Sequence, residues 1–137
     1  MVSSSSRSPD GPPGPEYAPV YNGRPDPGEI VWAWVPYEED RTRGKDRPVL
    51  VLAESGGRIT ALALTSKDHD RDERQEARAG RLWMDIGTGD WDRQGRPSEV
   101  RVNRVLDLSA HEVRREGAAL HPDVFAAVYA AARPFLR

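Results

Sequence analysis

The chain has 137 residues, 37% of them hydrophobic, with 20 Lys and Arg against 22 Asp and Glu and a formal net charge of -2. That is the length of one domain, too evenly charged for a uniformly basic nucleic-acid binder and, lacking cysteine, without a disulfide framework or a thiolate metal site. No stretch approaches the roughly 18 consecutive apolar residues of a membrane-spanning helix and no secretory signal opens the chain, so the sequence predicts a soluble, cytoplasmic protein.

Residues 1–27 hold seven of the twelve prolines, a run of four serines and no aliphatic cluster. Such a segment cannot offset its ordering entropy by burial, which predicts a disordered tail ahead of a folded domain over residues 28–137. The domain opens on Gly28 to Ala53, two apolar runs of strand length around a charged tongue from Tyr37 to Asp46. Bounded by Gly28 and Pro36, and opened again at Pro48, these runs carry strand signals with natural stops. Ile30, Trp32 and Trp34 alternate with Val31, Ala33 and Val35, so both faces are apolar and the strands should be covered on both sides. The tongue has an acidic half, Glu38, Glu39 and Asp40, and a basic half, Arg41, Arg43, Lys45 and Arg47, interrupted by Asp46.

Glu54-Ser55-Gly56-Gly57 is a turn signal before a third run, Arg58 to Ser66. A loop of Ser55, Gly56 and Gly57 would place Arg47 opposite Thr65; a loop one residue longer or shorter would place it opposite Leu64 or Ser66. In every case the basic end of the tongue meets the hydroxyls of Thr65 and Ser66. An arginine at a strand start can donate two charge-assisted hydrogen bonds to a phosphate and a neighbouring hydroxyl a third, so Arg47, Thr65 and Ser66 form a candidate anion site.

Lys67 to Gly80 lacks Val, Ile, Leu and aromatic residues and reads as a solvated loop or a short polar helix. Its Lys67-to-Asp72 charge run has superficial metal-ligand spacing, but with no cysteine or suitably spaced partner histidine a closed site is not expected, and neither His111 nor His121 lies near a nucleophile motif. A fourth run, Arg81 to Ile86, precedes the turn Gly87-Thr88-Gly89-Asp90-Trp91-Asp92, which is too short and opens no helix to be a phosphate loop. Trp32 and Trp34 read as core; Trp91, between two carboxylates, reads as packing over a barrel edge rather than stacking on a base. Glu99 to Leu106 alternates as a half-buried fifth strand. Ser109 to Ala119 is ambiguous, and Pro122 begins an amphipathic helix with Phe125 and Tyr129 on its packing face, stopped by Pro134.

The motifs Pro27-Gly28-Glu29-Ile30-Val31-Trp32, Gly44-Lys45-Asp46-Arg47-Pro48-Val49-Leu50-Val51-Leu52, Leu64-Thr65-Ser66-Lys67 and Arg96-Pro97-Ser98-Glu99-Val100-Arg101-Val102, followed by the terminal helix, resemble in kind and order the PemK/MazF toxins of type II toxin-antitoxin systems. The segments Trp34-Val35-Pro36-Tyr37-Glu38-Glu39-Asp40 and Trp83-Met84-Asp85-Ile86-Gly87-Thr88-Gly89-Asp90-Trp91 look like an actinobacterial branch. The resemblance implies a mainly β fold, an SH3-like barrel of about five antiparallel strands with a C-terminal helix. It also implies a homodimeric, sequence-selective endoribonuclease that needs no metal or other cofactor, cleaves single-stranded RNA by 2′-hydroxyl attack and is inhibited by a cognate antitoxin. Matched residue by residue, Arg47 and Thr65 take catalytic positions, with Ser66 as helper and Arg41, Arg43, Lys45 and Lys67 as RNA contacts. Where many relatives carry Asp-Gln in the last strand, this chain has Asn103-Arg104. Two other functions share this fold and stay open on sequence alone: a non-catalytic nucleic-acid or protein-binding module, and a gyrase poison like the related CcdB toxins.

Overall fold

A computed structural model describes residues 26–66 and 80–136, leaving aside the side chains of 115–117. The predicted tail, apart from its last two residues, and the polar segment after Ser66 lie outside that range. Seven strands form one curled antiparallel sheet: β1 (Glu29–Pro36), β2 (Gly44–Ser55), β3 (Arg58–Ser66), β4 (Trp83–Gly87), β5 (Ser98–Arg101), β6 (Leu106–Ser109) and β7 (Val113–Ala119). Their spatial order is β4-β5-β3-β2-β1-β7, with β6 also paired to β3. An α-helix, α1 (Pro122–Ala132), follows the last strand. Mainly β with a C-terminal helix is the class the sequence predicts.

The strand count is higher than the five expected. The run Glu99 to Leu106 is two strands, because β5 ends at Arg101 and β6 starts at Leu106 on a different part of β3. The ambiguous tract resolves into a 3-10 turn, Ala110–Glu112, closed by a reciprocal Ser109 and Glu112 capping box, and the strand β7. β7 pairs along β1 at the end of the strand order, with Val113 and Ala118 at its ends packed on the two cores. Its sequence, VRREGAA, has no apolar alternation that would have marked it as a strand.

The first three strands explain the two-sided apolar pattern. Ile30, Leu50 and Leu62 lie abreast across β1, β2 and β3 and belong to the core under α1, while the next row, Val31, Val49 and Ala63, belongs to a second core with Leu106 and Leu108 of β6. Coverage fails at the tryptophans. Trp34 is 44% exposed and Trp32 only half-buried, since both lie on the Ile30 face of β1, where the core under α1 stops at Ile30, whereas Ala33 and Val35 on the opposite face stay buried in the second core.

The β2–β3 hairpin departs from the three-residue loop in an informative way. The turn is Gly56-Gly57 alone, both with positive φ (58° and 83°), as a two-residue hairpin turn requires, and Ser55 faces Arg58. An irregularity between Val51 and Ala53 then shifts the register by one, so that Val51, Leu50 and Val49 face Ala61, Leu62 and Ala63. Continued two residues further, that register sets Arg47 beside Thr65.

Helix α1 starts as its sequence predicts. His121 is the N-cap, its imidazole accepting from the Asp123 amide at 3.1 Å, with Pro122 in the first turn. Phe125, Val128 and Ala132 are buried on the core, and the Tyr129 ring packs at 6.2 Å from that of Phe125. Phe125 is 1% exposed at the centre of this face. Phe125→Ala is expected to cost about 3–5 kcal/mol of folding stability, read as a lower urea midpoint at unchanged m-value; a loss under about 1 kcal/mol would show that α1 is not what closes this core.

Candidate active site

Three local features bring the tongue to the sheet. Strands β1 and β2 pair as far as Pro36 and Gly44, so Lys45, Asp46 and Arg47 belong to β2 and the free turn is only Tyr37 to Arg43. The sequence expectation of a ten-residue loop is thus too long, because Gly44 permits a contact no other residue would: a Cβ there would collide with the Val35 carbonyl oxygen. Within the turn, the Asp40 carboxylate accepts from the Thr42 amide at 3.1 Å and from its hydroxyl at 2.6 Å, bonds that hold Asp40 below the ordinary aspartate range.

The second feature is a fork in the sheet. Paired residues of β2 and β3 end at Val49 and Ala63. Beyond them β2 continues on β1 alone, with Ala33 opposite Arg47, whereas β3 continues on β5, with Glu99 opposite Thr65 and Ser98 opposite Ser66. Pro48, which has no amide hydrogen to donate, stands at the parting. Two hollows meet at the gap, one of about 750 Å³ and one of about 300 Å³, and Arg47 and Thr65 line both. Ser66 and Lys45 line the larger, together with Trp32, Arg93, Arg96 and Arg114.

The third feature is an ion pair between a buried arginine and a carboxylate of the exposed turn. Arg101 on β5, with its side chain 8% exposed, donates from both terminal nitrogens to the two oxygens of Glu38, at 2.9 and 3.0 Å, and from Nε to Asn103 Oδ1 at 2.6 Å. This fork fastens the turn to the far sheet. Glu38 is held below the ordinary carboxyl value of 4.5 chiefly by that bond from Arg101. Arg81 lies 3.6 Å from the same carboxylate, and Arg104 donates to the Pro36 carbonyl at 2.8 Å.

The half-buried Arg47 is poised rather than spent. Its Nε is buried without a hydrogen-bond partner among the described residues, and burial, with Arg104 acting in the same direction, lowers its pKa from the ordinary arginine value. A guanidinium remains charged in proteins. With Thr65, Arg47 lines both hollows, so the charge of its guanidinium faces the gap although the Nε–H itself is closed off from solvent.

The structure brings together Arg47, Thr65, Ser66 and Lys45 as the sequence predicts. Arg41 and Arg43 are exposed on the turn and line neither hollow, although Arg41 is close enough to contribute to lowering the Arg104 pKa. Lys67 and the Lys67-to-Asp72 run lie outside the described residues. Among those described, no three His, Cys, Asp or Glu side chains gather as metal ligands, and no helix is long and apolar enough to cross a membrane. Trp91 packs as expected: it is 5% exposed, and its indole donates to Ser98 Oγ at 3.0 Å. A Cβ at Gly89 would run into its ring, which gives the Gly-Thr-Gly-Asp-Trp motif a packing role. Sequence reasoning missed Arg81, Arg101, Arg104, Arg114 and Trp32 as lining residues. The Arg104 signal was its departure from the Asp-Gln pattern, whereas Arg81 and Arg101 looked like ordinary polar positions of a half-buried strand.

Comparison with known proteins agrees with this architecture. The family described as "PemK-like, MazF-like toxin of type II toxin-antitoxin system" matches residues 26–136. Among solved structures, MazF from Deinococcus radiodurans superposes with a TM-score of 0.56 at 19% identity, covering 81% of this chain and 94% of that one. A MazE-MazF structure from the same organism gives 0.54 at 18%, covering 81% and 93%. No curated protein sequence matches.

The Glu38 carboxylate carries a pH signature. A folded pKa below 4.5 means that its contribution to stability is complete above that value and is lost as the pH falls through the lowered folded value. Relative to the parent, Glu38→Gln should be least stable near neutral pH, and the difference in Tm should shrink in acid. A constant difference from pH 7 to pH 3 would mean that the pair with Arg101 is not what the substitution removes.

Proposed function

The chain belongs to the family of PemK-like, MazF-like toxins of type II toxin-antitoxin systems, whose members are known as endoribonucleases, and on that premise we propose that it cleaves single-stranded RNA at the gap between β2 and β3. The observation that carries the reading is the half-buried cation Arg47, which with Thr65 lines both hollows where they meet. A single strand can lie along both hollows with one phosphodiester at their junction.

In the proposed reaction the ribose 2′-hydroxyl attacks the adjacent phosphorus and gives up its proton, while the P–O5′ bond breaks and O5′ takes a proton. The products are a 2′,3′-cyclic phosphate and a 5′-hydroxyl. Negative charge builds on the non-bridging oxygens as the phosphorane forms, and a fixed guanidinium with a neighbouring hydroxyl stabilises that charge more than it does the starting diester. Arg47 is the clamp, Thr65 the second donor and Ser66 an accessory donor from the larger groove. The nucleophile belongs to the substrate itself, so the step asks for no metal-bound water. Lys45 in the groove, Arg41 and Arg43 on the turn, and Lys67 beyond the described residues attract the backbone. A homodimeric protein acting in the cytoplasm, held inactive by an antitoxin, completes the reading; the likeness to a MazE-MazF structure supports the antitoxin.

Purified protein incubated with a long single-stranded RNA should cut it in the presence of EDTA and leave 5′-hydroxyl ends. Arg47→Ala should remove the activity and Thr65→Ala should reduce it about 100- to 1,000-fold, both with unchanged thermal melting. Intact RNA with well-folded wild-type protein across several diverse transcripts would overturn the reading, and a fully active Arg47→Ala would overturn the residue assignment. Reversing the charge of Arg41 or Arg43 should weaken RNA binding and flatten its salt dependence by about one unit per lost contact.

A further inference from the structure

The smaller hollow meets the proposed cleavage centre only at its Arg47–Thr65 edge, yet it is built from charge. Four arginines, Arg47, Arg81, Arg101 and Arg104, and two glutamates, Glu38 and Glu39, line it, with Trp83, Pro36 and Ala63 among its apolar walls. Cations thus outnumber anions by two in a recess of about 300 Å³. Crowding of this kind is unfavourable unless an anion relieves it. Arg104 records the cost: burial, together with Arg101 and Arg41, lowers its pKa despite the opposing carboxylates of Glu38 and Glu39.

The internal partners show what the recess accepts. Glu38 already sits on Arg101 in the two-point geometry that a guanidinium also offers a phosphate. That bond holds Arg101 in place, and Asn103 orients it from the other side. Arg104 uses one Nη2 donor on the Pro36 carbonyl, and a guanidinium has further donors in its fork to offer a ligand in the hollow that it lines.

We propose that this hollow is a second phosphate subsite, in which Arg104 and Arg81, positioned by Glu38 and Arg101, take the phosphate next to the scissile one. The inference rests on reading Arg47 and Thr65 as the cleavage site. Continuity favours an RNA phosphate over an acidic protein segment, since the hollow opens onto the same gap that the scissile phosphate would occupy. The subsite would contribute by fixing the strand across the gap, so that the 2′-hydroxyl and the phosphorus are held in line.

The test uses an RNA oligonucleotide that the protein cuts, made uncleavable by a 2′-deoxy nucleotide at the cut, and variants of it carrying one neutral methylphosphonate on either side of that bond. Binding is followed by fluorescence anisotropy. With wild-type protein, one of the two flanking methylphosphonates should weaken binding about tenfold. Arg104→Gln should bind the unmodified oligonucleotide about tenfold more weakly, with a salt slope shallower by about one, and should lose nothing further to that methylphosphonate. Arg81→Gln, at a side chain 34% exposed, serves the same test should Arg104→Gln fail to fold. Unchanged affinity and slope in the folded variants, or a methylphosphonate penalty they retain in full, would overturn the subsite while leaving cleavage at Arg47 intact. Weaker binding of poly-glutamate by the variants with unchanged RNA affinity would overturn it in favour of a protein-docking site. A wild-type protein that cuts no RNA would bring down the proposed function and the subsite together.

Discussion

The structure depends on the separation of β2 from β3 beyond Val49 and Ala63. An antiparallel pair that ran on to the strand ends would bury Arg47 and Thr65 in an ordinary ladder, with cross-strand contact but no room for a ligand. Because β1 keeps hold of β2 and β5 keeps hold of β3, the two strand ends are each supported on one side and open on the other. Rigid placement and access are thus obtained together, which is the requirement for donors that must be aimed before charge develops.

Electrostatics reinforces that division. On the β5 side a buried arginine is fully engaged, forked by Glu38 and oriented by Asn103. Across the gap, Arg47 is half-buried with its Nε unanswered. The first arrangement anchors the turn of the tongue against the sheet; the second leaves a cation whose Nε has no hydrogen-bond partner among the described residues. Removing a single member of the anchored pair would leave a buried charge uncompensated, so the geometry of the open side depends on the closed one.

Much of this was legible in the residues. Gly28, Pro36 and Pro48 marked the ends of β1 and the approach to the gap, alternation on β1 gave both cores, and the Arg47, Thr65 and Ser66 juxtaposition followed from hairpin geometry whichever loop length was assumed. Three things were not. β7 carries no apolar alternation: between Val113 and Ala118, which pack on the cores, its residues are Arg, Arg, Glu and Gly. Trp34 looked like core because its neighbours are, and only the end of the core under α1 at Ile30 leaves it facing solvent, while Val35 on the other face stays buried. Arg81 and Arg101 joined the recess through the pairing of β4 with β5, a contact between segments whose spacing in the chain gives no hint of it.

The one-residue irregularity between Val51 and Ala53 has a reach beyond its own turn. Had the register set at the Gly56-Gly57 turn persisted, Ser66 rather than Thr65 would stand across from Arg47. The Thr65 side chain alternates to the other face from that of Ser66, so the hydroxyl offered to the gap would belong to a different residue on a differently backed surface. The identity of the second donor is therefore encoded by parity, in a bulge several residues upstream that touches no ligand. Any transplant of this hairpin onto another barrel must carry the bulge along with Arg47 and Thr65, since sequence identity at the site alone would copy the parts without their alignment.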